Sequence, residues 1–239
     1  MQTFINTWGS VIWTGFGQTL AMTSITFILS IAIGIPIGVL LVVTRIDGLH
    51  PNKTVYSITN WIINILRSLP FIILLFLILP ITKFVAGTTI GIRGVILPLV
   101  VYAGPYIGRL VESSLLEVDP GTIEAYQSMG ISNSNIIWRI MVRESRSSII
   151  RGLTIAAIGL IGATAMAGLV GAGGLGDIAY QYGFQRYQPD VMYVTIIILI
   201  VLVQLIQSIG NVVSARLKKR LEYKRVWRKA FSHRGTSHQ

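Results

Sequence analysis

Residues 190–213 read DVMYVTIIILIVLVQLIQSIGNVV, an apolar run whose only charged residue is the first. A helix needs about 20 such residues to cross the hydrocarbon core of a bilayer. Runs of this kind recur along the chain, and they are expected to be helices because lipid cannot satisfy exposed backbone groups. The sequence therefore predicts an all-α membrane protein whose residues 1–215 form a single transmembrane domain.

The composition agrees with this class. The 239 residues are 52% hydrophobic and 12% charged, and the mean hydropathy is +0.68, whereas soluble domains carry about 25% charged residues. The absence of cysteine excludes disulfides and thiol chemistry. We predict five membrane spans, at residues 18–44, 54–80, 88–110, 148–172 and 190–213.

The net charge of +11 is concentrated at the C-terminal end. Nine Lys and Arg residues follow from Arg216 onward, against Glu222 alone. Residues 216–239 are thus predicted to be a basic cytoplasmic tail that contacts anionic lipid headgroups. Nucleic-acid binding is not expected, since no aromatic-interleaved basic motif is present. The distribution of Lys and Arg among the loops predicts an outside N-terminus and a cytoplasmic C-terminus.

A polar segment lies between the apolar runs, and residues 119–135 read DPGTIEAYQSMGISNSN. Asp119 followed by Pro120 predicts a helix start, and Gly130 predicts a helix end in a left-handed conformation. Ser132 is placed to cap a second short helix. The predicted topology puts this segment, hereafter the docking segment, in the cytoplasm. We therefore expect it to contact another protein.

Polar residues recur on one face of the second predicted span. Asn60, Asn64, Arg67 and Ser68 are spaced by three and four residues or lie side by side. A single helix over residues 54–80 would be about 40 Å long, which would place Arg67 near the middle of the membrane. A cation there usually faces a bundle interior or a watery cavity. These residues are candidates for a translocation pathway, and a purely structural pairing of Arg67 is an equal alternative.

Small residues form a stripe on the fourth predicted span. Gly159, Ala163, Ala167 and Gly171 follow one another at steps of four residues. Such stripes let two membrane helices approach closely. The stripe therefore marks candidates for helix packing within the chain or between two copies of it.

The sequence gives no support for catalysis or nucleotide binding. Residues 171–176 match G-x-G-x-x-G, but they follow a membrane helix, and no acidic residue lies between Asp190 and Glu222. We interpret them as a glycine-rich helix exit capped by Asp177. The sequence contains no phosphate-binding P-loop, no metal-ligand spacing among its three histidines and no catalytic constellation. No catalytic residue, metal ligand or bound cofactor is predicted, so the chain is not expected to be an enzyme.

The docking segment also carries a family resemblance. Glu124-Ala125 followed by Gly130 resembles the E-A-A-x-x-x-G cytoplasmic loop of ABC importer permeases, with Tyr126 in place of the second alanine. Val142-Arg143 replaces the Leu-Pro pair that commonly follows, which is expected to straighten the passage into the fourth span. Further stretches resemble the methionine-importer branch, namely residues 67–75, Leu115-Leu116-Glu117, residues 171–177 and Tyr182-Gly183.

The resemblance, which covers nearly the whole chain, has structural implications. It implies a type I ABC importer permease fold with five transmembrane helices per subunit, in the bacterial plasma membrane. It also implies a homodimer with the pore at the interface. Within a cytoplasmic coupling loop, residues 117–145, the residues implied to contact the partner are Glu124, Ala125, Gly130 and Ser132.

The resemblance implies a function as well. The chain would form the pathway for D- or L-methionine, driven by two copies of a separate cytoplasmic ATPase that hold the ATP and Mg. An extracytoplasmic methionine-binding lipoprotein would deliver the solute. Three alternatives stay open from the residues alone: a permease of the same machine for another small polar solute, an ion-coupled secondary transporter, and a membrane scaffold that transports nothing.

Overall fold

The computed structural model describes the backbone of residues 2–234 and the side chains of Phe4 and of residues 6–218. No strand occurs among residues 2–234, in agreement with the predicted all-α class. Two π-helical stretches, Ile136–Met141 and Ala179–Gln185, and a 3-10 turn, Gly168–Val170, link some of the helices. The helices are α1 (Gln2–Thr44), α2 (Lys53–Ser68), α3 (Phe71–Ala86), α4 (Gly91–Leu115), α5 (Pro120–Ser128), α6 (Asn133–Asn135), α7 (Val142–Ala167), α8 (Leu175–Ile178) and α9 (Pro189–Arg234).

The helices that can cross a membrane agree with the prediction in number. Four described stretches are long and apolar enough, and the bent pair α2 and α3 makes a fifth when counted as one span. The four are Asn6–Thr44, Gly91–Leu115, Asn133–Val170 and Pro189–Lys218. The first starts well before the predicted residue 18, because α1 is helical from Gln2 onward.

The last helix passes straight through the predicted boundary between the transmembrane domain and the basic tail. α9 is continuous from Pro189 to Arg234. The basic side chains from Lys219 onward and the last residues, 235–239, lie outside the described part of the chain. Contact of the tail with anionic lipid therefore stays a prediction.

The second span is bent, and the prediction of one straight helix over residues 54–80 is wrong. α2 ends at Ser68, α3 begins at Phe71, and the two helices are bent by 111°. Pro70 lacks a backbone donor and disfavours the helical conformation at Leu69, which is extended with φ −83° and ψ 128°. Arg67 thus lies at a bend and not halfway along a straight span.

The most extensive helix contact joins α1 to α4, and glycines lie on both helices. A Cβ atom added to Gly38 would lie 2.6 Å from the carbonyl oxygen of Gly108, and one added to Gly34 would lie 2.8 Å from that of Gly104. Backbones can approach this closely only where side chains are absent. These two G-x-x-x-G spacings, one on each helix, were not among the sequence predictions. The close contact that they allow brings α4 to the centre of the bundle.

α7 packs between α4 and α9. The hydroxyl of Ser147 donates to the carbonyl oxygen of Ser214 at 3.0 Å, and the hydroxyl of Ser214 donates to the carbonyl oxygen of Ser147 at 2.9 Å. Both serines are buried. Interhelical hydrogen bonds of this kind hold membrane helices together, where apolar surface alone gives no preference for protein over lipid.

The small-residue stripe of the fourth span is divided in the structure. Ala163 and Ala167 are buried within the subunit. Gly159 is exposed, and no described heavy atom lies within 4 Å of the position of its Cβ. Gly171 lies beyond the end of α7, in a left-handed conformation with φ 77°. Packing between two copies of the chain therefore stays a prediction for Gly159.

The glycine-rich exit is held by α1, and the predicted cap by Asp177 is wrong. The side chain of Gln18 accepts a hydrogen bond from the backbone N–H of Gly174 at 2.8 Å, and that of Thr19 accepts one from Leu175 at 2.9 Å. These amides are thus already paired and not open to a phosphate. Asp177 accepts from Gln181 at 2.7 Å instead. Burial raises the pKa of the Asp177 carboxyl, and the bond from Gln181 acts in the opposite direction.

The contact between α1 and α4 predicts different effects for two glycine-to-alanine changes on α1. We expect Gly38→Ala to destabilise the protein by about 1–3 kcal/mol, because its methyl group meets backbone and Val111. Gly17→Ala is the matched control, since no described heavy atom lies within 4 Å of that position, and it should be neutral or slightly stabilising. Thermal unfolding in detergent measures both. Equal melting temperatures for the two variants would contradict the close contact.

Candidate functional site

The docking segment adopts the local conformations that its sequence predicts. The carboxylate of Asp119 caps α5 by accepting a hydrogen bond from the N–H of Gly121 at 2.7 Å, and Pro120 is the first helical residue. α5 ends at Ser128, and Gly130 follows with φ 71°, in the left-handed region. These signals fix a short helix with a sharp turn after it.

The two faces of α5 differ in their surroundings. Ile123 and Tyr126 are partly buried and pack against the core beside Ile136 and Met141. On the other face Glu124 and Ala125 are exposed, together with Gln127 and Met129. No residue of α5, all of which the structure describes, is fully buried. The helix is therefore seated on the bundle by one face and presents a carboxylate and a small side chain to its surroundings on the other.

The turn after α5 leads into one continuous helical passage. Ser132 begins α6 through its backbone, whose carbonyl oxygen accepts from Ile136 at 3.0 Å. Ser132 takes the predicted N-cap position of α6, but its hydroxyl accepts from the side-chain amide of Asn135 at 2.9 Å and makes no capping bond to the backbone. The helical path then runs without a break across Val142 and Arg143, as expected where the Leu-Pro pair is missing.

The loop between α1 and α2 touches the docking segment. The amide nitrogen of Asn133 lies 3.0 Å from the Nε2 atom of His50 and donates to the carbonyl oxygen of Leu49 at 3.4 Å. A cavity of about 440 Å³ separates this loop from α5, and Glu124 and Arg45 are among its lining residues. Arg45 is paired with Asp47 at 2.7 Å.

The short connection from α4 to α5 is also fixed. Val118 is buried, and the carboxylate of Glu117 accepts from the hydroxyl of Ser148 at 2.6 Å and lies 3.9 Å from Arg151. Ser148 and Arg151 belong to α7. The docking segment is thus attached to the ends of α4 and α7 and to the loop after α1.

The predicted pathway residues have different surroundings. The side-chain oxygens of Asn60 and Asn64 both accept hydrogen bonds from Arg109 of α4, and the bond to Asn64 is 3.0 Å long. The hydroxyl of Ser68 donates to the backbone oxygen of Asn64 at 2.6 Å. Arg67 is exposed, and its guanidinium carbon lies 5.8 Å from the ring centroid of Tyr106. Among residues 6–218, no carboxylate forms an ion pair with Arg67.

Sequence reasoning missed Arg109 as the partner of these asparagines. Arg109 also pairs with Glu112 of its own helix, at 2.6 Å between Nη1 and Oε2. Glu112 is buried, with 4% of its surface exposed. The signal was the spacing of three residues between opposite charges in an apolar span, together with two asparagines four residues apart on another.

Comparison with known proteins places the chain in a family. The model of the family described as "Binding-protein-dependent transport system inner membrane component" matches residues 31–221. The chain is 44% identical over 203 residues to the probable D-methionine transport system permease protein MetI of Vibrio cholerae, across 85% of this chain and 90% of that protein. It is 42% identical over 181 residues to the methionine import system permease protein MetP of Bacillus subtilis, across 76% and 82% of the two chains.

Solved structures show the same fold. A chain from inward-facing conformations of the MetNI methionine ABC transporter is 41% identical with a TM-score of 0.86, over 88% of this chain and 97% of that one. An amino acid ABC transporter crystallised with histidines has a TM-score of 0.74 at 17% identity, over 89% and 96% of the two chains, and shows likeness of fold alone. The chain therefore belongs to the family of inner membrane components of binding-protein-dependent transport systems, and it has the fold of type I ABC importer permeases.

Proposed function

We propose that this chain is the permease subunit of an ATP-driven methionine importer, in which two copies form the translocation pathway. The observation that carries the proposal is the similarity above 40% to permeases named for methionine transport, along most of their length. The similarity to the MetNI transporter supports the same solute and an assembly with ATPase subunits. D- and L-methionine are both compatible with this proposal.

The docking segment is the proposed contact with the ATPase. α5 buries one face against the bundle and leaves Glu124 and Ala125 exposed. A carboxylate beside a small side chain suits a partner surface that approaches closely and carries positive charge. The sequence holds no P-loop of its own, so ATP and Mg would be held by two ATPase subunits, one for each docking segment.

The attachments of the docking segment support transport by alternating access. Closure of the ATPase pair on ATP would draw the two docking segments together. Because α4, α7 and the loop after α1 all contact this segment or its flanks, the spans would move with it and open the pathway to the outer side. An extracytoplasmic methionine-binding lipoprotein would deliver the solute to that side.

The ion-coupled alternative is disfavoured by the state of Glu112. Acidic residues within the spans mark the ion and proton pathways of ion-coupled transporters. Glu112 is the buried carboxylate of α4, and it is paired with Arg109 at 2.6 Å. A carboxylate that is already engaged by a guanidinium is less available as a ligand for a coupling cation.

Reversing the charge of Glu124 tests the docking role. We expect Glu124→Lys to insert and fold normally, because Glu124 is exposed, and to bind the ATPase at least about tenfold more weakly, which corresponds to ~1.4 kcal/mol. Asp190→Lys is the matched control, since it makes the same charge change at an exposed residue in the first turn of α9. Affinity is measured with purified ATPase in detergent. Equal binding by both variants would remove Glu124 from the interface.

Cysteine labelling tests the pathway at the bend of the second span. The chain has no native cysteine, so a single Arg67→Cys variant reports on that position alone. We expect a water-soluble maleimide to modify it many times faster than Leu74→Cys, because Arg67 is exposed and Leu74 is fully buried in α3. The rate should change when ATP is bound by the assembled complex. Absence of labelling in both states would count against a pathway role for Arg67.

Uptake by reconstituted vesicles tests the function as a whole. Vesicles that hold this chain, its ATPase and the binding protein should accumulate radiolabelled methionine only when ATP is present on the ATPase side. A set of other small polar solutes serves as the specificity control. Uptake driven by an ion gradient without ATP would replace the proposal with the secondary-transporter alternative, and uptake of another solute in preference to methionine would change the substrate.

A further inference from the structure

Four side chains join α2 to α4 through hydrogen bonds, and we call them the Arg109 clamp: Arg109, Glu112, Asn60 and Asn64. Nη1 of Arg109 donates to Glu112 at 2.6 Å within α4. Nη2 of Arg109 donates to the side-chain oxygens of both Asn60 and Asn64 on α2. Because these asparagines are one helical turn apart, a single nitrogen restrains both the position and the rotation of α2.

Apolar packing within the subunit holds α2 only weakly. Among the residues of α2, all of which the structure describes, Ile63 alone is fully buried, and Ile58 and Trp61 are 55% and 66% exposed. By contrast, α3 buries Phe71, Leu74, Leu75, Ile78 and Thr82. In the bent span, α3 is therefore firmly packed by apolar side chains. The attachment of α2 depends more than that of α3 on the Arg109 clamp.

The clamp lies close to the docking segment along the chain. Arg109 is in the last two turns of α4, which ends at Leu115, and α5 begins at Pro120. The connection between them is fixed by the buried Val118 and by the bond from Ser148 to Glu117. A displacement of the docking segment therefore reaches the end of α4 that carries Arg109.

We propose that Arg109 is a positioning residue of the transport cycle, which makes α2 follow the movement of α4. The proposal deepens the proposed function and rests on it for the direction of coupling. Glu112 neutralises the guanidinium at the end of an apolar helix, which lowers the cost of keeping a cation there. Nη2 of the same guanidinium donates to α2, and the planar group fixes its direction relative to Nη1.

The chemistry of arginine gives the clamp a specific requirement. A lysine at this position would supply charge and donors but not the planar fork that serves Glu112 and both asparagines at once. Arg109→Lys should therefore restore part of the coupling. Arg109→Gln keeps a polar side chain and removes both the charge and the bridge. Loss of the bridge leaves the side-chain oxygens of Asn60 and Asn64 without this donor.

Hydrogen–deuterium exchange of the assembled complex in lipid nanodiscs measures how strongly the Arg109 clamp holds α2. We expect Arg109→Gln to raise the exchange rate of α2 amides by about tenfold or more, because charged hydrogen bonds that oppose local opening are lost. Exchange in α3 should stay unchanged. Arg93→Gln is the matched control, an exposed arginine near the start of the same helix, and should leave α2 exchange as it is.

Transport measured per ATP hydrolysed supplies the second readout. Arg109→Gln should lower methionine uptake per ATP by about fivefold or more while hydrolysis continues, and Arg109→Lys should recover part of it. If Arg109→Gln does not fold, Asn60→Ala with Asn64→Ala tests the same bridge and leaves the pair of Arg109 and Glu112 intact.

The two readouts separate the possible failures. Unchanged α2 exchange in the folded variants would overturn the clamp, and so would faster α2 exchange with undiminished uptake per ATP. Failure of the unmodified complex to import methionine would overturn the proposed function and not the clamp. In that case ATP-dependent change in α2 exchange, present in the unmodified complex and lost in Arg109→Gln, would still support the clamp, and its persistence in the variant would overturn it.

Discussion

No water reaches the hydrocarbon core of a bilayer, so each backbone polar group placed there must find its partner within the protein. This constraint explains where the chain departs from regular helix. The amides of Gly174 and Leu175, in and directly after the glycine-rich turn, are satisfied by Gln18 and Thr19 of α1. At the bend between α2 and α3 the hydroxyl of Ser68 bonds to the backbone of its own helix. At the glycine-rich turn, irregular backbone is tolerated because the side chains of α1 supply the missing partners.

The docking segment is built under a different constraint. Water can satisfy its polar groups, so its exposed face is free to be shaped for another protein. Its geometry is set locally, by the carboxylate of Asp119 at one end of α5 and the left-handed Gly130 after the other. Its inner face, with Ile123 and Tyr126, fixes it to the bundle. In the proposed assembly, a short helix held in this way would transmit a displacement from the ATPase to the spans, whereas a flexible loop would absorb it.

The difference between local and tertiary determinants also decides what the sequence could predict. The caps of α5 depend on residues next to them, and the structure agrees at Asp119, Pro120 and Gly130. The lengths of the apolar runs located the spans, but they contain no information on where a span bends. Pro36, Pro98 and Pro105 lie inside continuous helices while Pro70 marks a 111° bend. Which proline breaks a helix depends on the packing of its neighbours, and the same holds for the partner of Asn60 and Asn64.

The bend also changes how the two arginines near the second span should be understood. A straight helix would place the charge of Arg67 at mid-membrane, whereas in the structure Arg67 lies at the bend between α2 and α3. What distinguishes it instead is an exposed guanidinium near Tyr106, without an ion pair among residues 6–218. The charge of Arg109 is by contrast neutralised by Glu112, and Nη2 of the same guanidinium holds α2. α2 therefore carries an attachment to α4 along its length and an available cation at its end, so movement of α4 would reposition that cation relative to α3.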